Sequence, residues 1–344
     1  MRKFGILMLL VLLSAGFGTT AAQDSPGVVN IYSSRHYGAM EGPFVAFTEA
    51  TGIEVRVSQG TPQALLERLR AEGEHTPADL FLAIDAGVLS LAADEGLFQP
   101  VESEILEANI DESQRDPENR WFGLSQRVRT IVYNPETVDP ALLTGYESLA
   151  DPQWQGRLCL RPASHIYTIS LTSSLLYHLG EEGARAVVEG WVANDPLYID
   201  SDQRIIETIA AGGCDVGLVN HYYLARLING DPNYPVKLLW PNQDTTGAFY
   251  NVNGAGVTAN ALNRENAIRF LEFMSSLEGQ AGTAEGFPGS NWEYPTNFAA
   301  EPNEILLSFG DVHRDYTYPL WEYGQYQQAA IDLLEAAGYG FSES

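Results

Sequence analysis

Residues Cys214-Asp215-Val216-Gly217-Leu218-Val219-Asn220-His221-Tyr222-Tyr223-Leu224-Ala225-Arg226-Leu227-Ile228 carry the change of pattern that decides how this chain is read. The stretch from Cys214 to Val219 is a short apolar run of strand length, and Leu224 onward has the composition of a helix start. Asn220 to Tyr223 therefore fall at a strand-to-helix turn. In an open α/β sheet, side chains leaving the carboxyl ends of strands face the ligand crevice. The turn thus sets three potential metal donors, His221, Tyr222 and Tyr223, side by side at that mouth.

Working outward, two more turns have the same construction. Val28 to Ser34 is a β-rich run followed by Arg35-His36-Tyr37 and a helical pattern through Phe44, Phe47 and Ala50. Arg157 to Arg161 is a strand from which Ala163-Ser164-His165-Ile166-Tyr167 opens a helix running from Thr168 to Leu179. Between them the spacing predicts strands over Gly52–Val57 and Asp79–Ala83, and helices over Pro62–Glu72 and Gly87–Glu95. Such alternation argues for an α/β fold with a mostly parallel sheet.

Two longer extended runs stand apart, Trp121–Asn134 and Gly247–Val257. The first alternates so that Arg127 and Arg129 share one face, and each is long enough to cross between lobes. Helix Arg264–Ser276, a Gly-rich segment and a last helix near Tyr326 to Ala337 complete the chain. A mature length of about 320 residues exceeds what one hydrophobic core organises, so two lobes are expected.

The first residues, Met1-Arg2-Lys3, then the apolar Phe4 to Leu13 and small residues to Ala22, have the three zones of a secretory signal. Residues 1–22 are read as that signal, and a soluble exported protein is expected, best suited to a periplasm. The net charge of −26 in 344 residues argues against nucleic acid and anionic membrane surfaces as partners, and suits a cation. Only Lys3 and Lys237 are lysines, so an acidic, well-solvated surface accounts for much of that charge. Cys159 and Cys214 are the only cysteines, and in an oxidising compartment an even count favours one disulfide. No HExxH, nucleophile elbow or paired-carboxylate motif is present, which argues against an enzyme.

Chemically, phenolate is an anionic oxygen donor suited to a hard trivalent ion, and a bound metal can supply the free energy of ionising it. With NIYSSRHY, GLSQRVRTIVYN, RPASHIY, CDVGLVNHYY and the GAGV run in place, the sequence resembles the periplasmic ferric-ion-binding proteins among the family 1 extracellular solute-binding proteins. The likeness spans nearly the whole mature chain. It is strongest to members that pair His-Tyr in the first lobe with Tyr and Tyr-Tyr in the second, as in the cyanobacterial type.

The resemblance implies a two-lobe type II periplasmic binding protein hinged by two extended crossover strands, with residues 23–126 and 254–300 in one lobe and 127–253 and 301–344 in the other. It implies His36, Tyr37, Tyr167, Tyr222 and Tyr223 as ligands of ferric iron, Fe3+. Arg127 matches a position that binds a carbonate-like anion in some members, and Arg226, one helical turn beyond Tyr223, is placed to support a phenolate. His221 is read as structural, pointing away from a site served by both tyrosines, and His75, His165, His178 and His313 carry no assigned role. The implied partners are an inner-membrane ABC permease and its ATPase, with no membrane insertion and a monomeric state. A same-fold binder of another metal, a polyamine or a phosphonate is the alternative, and a secreted metalloenzyme a more distant one.

Overall fold

In the computed structural model, residues 27–35, 41–284 and 292–340 are described. The signal segment 1–22 and the expected ligands His36 and Tyr37 lie outside these residues. Among the described residues nine strands form one sheet, and two long ones hold its centre. Phe122–Tyr133 (β4) is 12 residues long and buried until its last residue. Its first half pairs antiparallel with Tyr250–Val257 (β9), from Phe122 opposite Ala255 to Val128 opposite Tyr250. Its second half pairs antiparallel with Val216–Asn220 (β7), Arg129 facing Asn220, and with Lys237–Leu239 (β8).

On one flank, β9 pairs antiparallel with Leu80–Ala83 (β3), which runs parallel to Val28–Ser33 (β1), and β1 parallel to Glu54–Gln59 (β2). On the other, β7 runs parallel to Leu158–Leu160 (β5), and β5 to Leu197–Tyr198 (β6). The sheet is therefore mixed rather than mostly parallel. Strand–helix alternation correctly gives the two parallel flanks, whereas the crossovers traverse the molecule in opposite directions and so make the centre antiparallel. The outcome is a two-lobe α/β fold in which β4 and β9 are shared.

Close approach of backbones explains the Gly-Ala-Gly in β9. A Cβ on Gly256 would stand 2.7 Å from the Arg120 carbonyl oxygen and 2.6 Å from the Phe98 ring. In the first lobe, helices Gly42–Thr51 (α1) and Arg264–Ser275 (α8) bury Phe44, Phe47 and Phe270 against the sheet. Phe270 meets the other two edge-on at 5.1 and 5.2 Å, a favoured arrangement of aromatic quadrupoles.

After α8 the Gly-rich segment expected from sequence begins as a helix, Leu277–Ala284. Its Gly279 sits where a Cβ would lie 2.3 Å from the Phe273 carbonyl oxygen. That glycine serves close packing rather than a loop, which sequence alone does not distinguish.

The second lobe is built on Ile166–Ala193 (α5), a 28-residue helix broken at Gly180, where φ is 67°. The break divides it much as the sequence divided it, into a segment ending at Leu179 and another from Gly183. Cys159 in β5 and Cys214 before β7 are bonded, with their Cα atoms 6.0 Å apart. The staple ties β5 to the segment that leads into β7, its parallel neighbour.

Candidate metal centre

Strand β7 ends at Asn220 and helix His221–Gly230 (α7) starts at the next residue, as the change of pattern predicts. His221 is fully buried. Its Nδ1 accepts the Val128 N–H at 3.1 Å, and its Nε2 lies 3.0 Å from the Trp292 carbonyl oxygen, to which it donates. Both ring nitrogens are used, so His221 ties the turn to β4 and offers nothing to a metal. Burial, assisted by Arg314, pushes its pKa down to about 3 and keeps it neutral.

Tyr222 and Tyr223 follow with ring centroids 4.4 Å apart. Tyr222 is buried and Tyr223 half-buried. The hydroxyl of Tyr222 is 3.1 Å from that of Tyr167, which lies in the first turn of α5. Two strand ends separated by 55 residues thus bring two phenol oxygens into contact. His165 sets the start of α5: its Nδ1 accepts the Tyr167 N–H at 3.2 Å, and its ring packs edge-on to that of Tyr167 at 4.5 Å. The capping role of this histidine was not evident in the sequence, although a polar residue just before a helical run is the usual signal.

Burial raises the Tyr222 phenol well above its ordinary pKa, and neighbouring Tyr167 and Tyr223 add to the effect. Tyr223 is raised by burial and by Tyr167 as well. As free phenols both are neutral at pH 7, and a multivalent cation is needed to ionise them. Among the described residues, no group of three or more His, Cys, Asp or Glu side chains is placed to hold a metal ion. Phenol oxygens are the converging donors, and they suit a hard ion.

Behind the tyrosines stand the two arginines of β4, on one side as alternation requires. The guanidinium carbons of Arg127 and Arg129 lie 5.1 and 5.6 Å from the centroid of the Tyr167 ring. Arg129 donates to Asp202 Oδ2 at 2.6 Å and to Asn220 Oδ1 at 3.4 Å, and Asp202 also accepts the Asn220 N–H at 2.8 Å. The Asn220 amide, so oriented, places Nδ2 3.5 Å from the Tyr222 hydroxyl. Sequence reasoning assigned no role to Asn220 or Asp202, because the partner of a strand arginine lies far away in sequence. Arg226 stands over the face of the Tyr223 ring, its guanidinium carbon 5.5 Å from the centroid.

A cleft of about 550 Å³ opens beside this cluster, lined from one side by Ser34, Arg35, Gln59 and Thr61 and from the other by Ser164 and His165. It runs between the turn after β1 and the start of α5, the two places from which first-lobe and second-lobe ligands were expected.

Residues 75–308 match the family model of bacterial extracellular solute-binding proteins. Iron uptake protein A1 of Synechocystis sp. is 40% identical over 92% of this chain and 89% of its own length. The Fe(3+)-binding periplasmic protein of Serratia marcescens is 28% identical over 89% of this chain and 90% of its own. Among solved structures, Trichodesmium IdiA (FutA) in complex with iron and citrate ligands superposes with a TM-score of 0.83 at 38% identity, covering 91% of this chain and all of that one. The ferric binding protein from Campylobacter jejuni gives 0.84 at 30% identity, over 90% of this chain and 99% of its own.

Proposed function

Because the chain belongs to the bacterial extracellular solute-binding protein family, we propose that it is a periplasmic receptor that captures Fe3+ between two lobes through tyrosine phenolates and passes it to an inner-membrane ABC permease with its ATPase. The observation that carries this reading is the 3.1 Å contact between the Tyr167 and Tyr222 hydroxyls, with the Tyr223 ring tilted against that of Tyr222. Two buried phenols that form a hydrogen-bonded pair when neutral become, once ionised, adjacent anionic donors to one cation. Three phenolates match a trivalent charge, which avoids an uncompensated ion in a desolvated site. His36 and Tyr37 complete the ligand set from the first lobe in this reading, and Arg127 receives a small carbonate-like anion. The lobes comprise residues 23–126 with 254–300 and 127–253 with 301–344. The protein works as a monomeric binder rather than an enzyme.

Relatives described as iron uptake and ferric-binding proteins support the choice of ion. No described helix is long and apolar enough to cross a membrane. Purified protein given ferric citrate should take on a visible phenolate-to-iron absorption band. Tyr223→Phe, which keeps the ring and removes one anionic donor, should weaken iron binding at least about tenfold, equivalent to ~1.4 kcal/mol, and reduce the band. A colourless wild type in excess ferric citrate, together with a Tyr223→Phe variant that binds iron as the parent does, overturns the reading.

A further inference from the structure

The turn that leads to Tyr167 is held from the far end of the chain. The last helix, Gln327–Ala336, is followed by Gly338 at φ 69°, whose N–H is donated to the Glu335 carbonyl oxygen at 3.1 Å. This left-handed residue turns the chain back, as glycine does beyond a helix end. Tyr339 donates its N–H to the Leu334 carbonyl oxygen at 3.0 Å, and its side chain is buried. Gly340 follows, and its carbonyl oxygen accepts the Ala163 N–H at 2.9 Å. Ala163 lies between β5 and α5, just before the His165 that caps α5.

Packing leaves this strap little freedom. The Tyr339 ring is tilted against that of Tyr198, with centroids 5.0 Å apart, and Tyr198 stands in β6 opposite Leu160 of β5. A Cβ on Gly340 would lie 2.3 Å from two carbons of the Tyr198 ring, so the absence of a side chain is what lets the backbone come this close. Ala163 is itself buried, where an unpaired N–H is costly. The bond to Gly340 therefore fixes where the turn stands.

We propose that Tyr339 and Gly340 are positioning residues for the metal ligand Tyr167. The strap places the turn at Ala163, and His165, whose Nδ1 accepts the Tyr167 N–H at 3.2 Å, passes that placement to the first turn of α5. The Tyr167 hydroxyl must meet that of Tyr222, which a different strand end supplies. A shift of the turn thus goes directly into the distance between two donors, and donors hold a metal well only where surrounding contacts fix them. The proposal rests on the reading that Tyr167 binds ferric iron as a phenolate.

The test compares iron retention against a competing chelator, the position of the absorption band, and the urea midpoint of the iron-free protein. A chain ending at Ala337 lacks the strap, and its iron affinity should fall by about tenfold or more, with a shifted band. If that chain does not fold, Gly340→Ala serves instead. The added Cβ should drive the strap off the Tyr198 ring and weaken iron binding by about tenfold, and in a Tyr198→Ala background it should weaken binding no further, because the two positions are coupled. A folded variant with a lower urea midpoint but the parental affinity and band has lost only stability, and overturns the proposal while iron binding stands. A wild type with no band in excess ferric citrate overturns the ferric reading and this proposal with it.

Discussion

Tyr222 and Tyr223 are adjacent in the chain, yet one is buried and the other half-buried, because successive helical residues point about 100° apart. Burial holds both phenols above their ordinary pKa, so the metal-free protein carries their protons at neutral pH. Binding as phenolates must release them. The sign follows directly: protons compete with the ion, and affinity falls as pH falls. These two protons alone make the fall roughly a hundredfold per pH unit. Calorimetric titration of iron into protein, in buffers of differing ionisation enthalpy, should report at least two protons released, and Tyr223→Phe should remove one. At this scale the sequence showed which residues lie at the strand ends, and it correctly separated His221 from the tyrosines. It did not show Asn220 oriented by Arg129 and Asp202, since those contacts join residues 91 and 18 positions away.

Among the elements, the crossovers were the most legible, because an extended run as long as β4 has few other uses in a compact α/β chain. Their antiparallel pairing was not legible, since periodicity reports which face is buried and not the direction of the neighbour. The helix over Leu277–Ala284 was missed for a related reason: glycine marks both turns and tight packing. The crowding at Gly256 gives a test of how closely β4 and β9 must approach. Gly256→Ala should destabilise the fold by about 2 kcal/mol, as overpacking of a buried site does. Urea denaturation should show the lower midpoint with an unchanged slope. Chain direction at this position leaves no room for a Cβ between Phe98 and the Arg120 carbonyl, so relief requires the strands to part.

For the whole molecule, two lobes sharing two strands allow rotation about β4 and β9 without breaking either lobe's core. With the proposed ligands drawn from both lobes, iron is expected to bind the closed form better, and only such a difference shifts the balance between forms. Small-angle scattering should show a smaller radius of gyration with iron than without it, and an unchanged radius would count against closure. The disulfide acts at this scale too. It closes a loop with a sequence separation of 55 residues, which in the chain-entropy model stabilises the fold by about 4 kcal/mol.

The ladder between β3 and β9 has a consequence for the order in which the chain is made. It joins residues 80–83 to residues 254–257, so β1, β2 and β3 emerge from synthesis long before the strand that completes their sheet. Until then β3 presents an open edge, a template for pairing with other chains. Partners so distant in sequence also find each other slowly. A nascent chain stopped short of Tyr250 lacks β9, one of the two shared strands, so the sheet of the first lobe cannot close until most of the chain has been made.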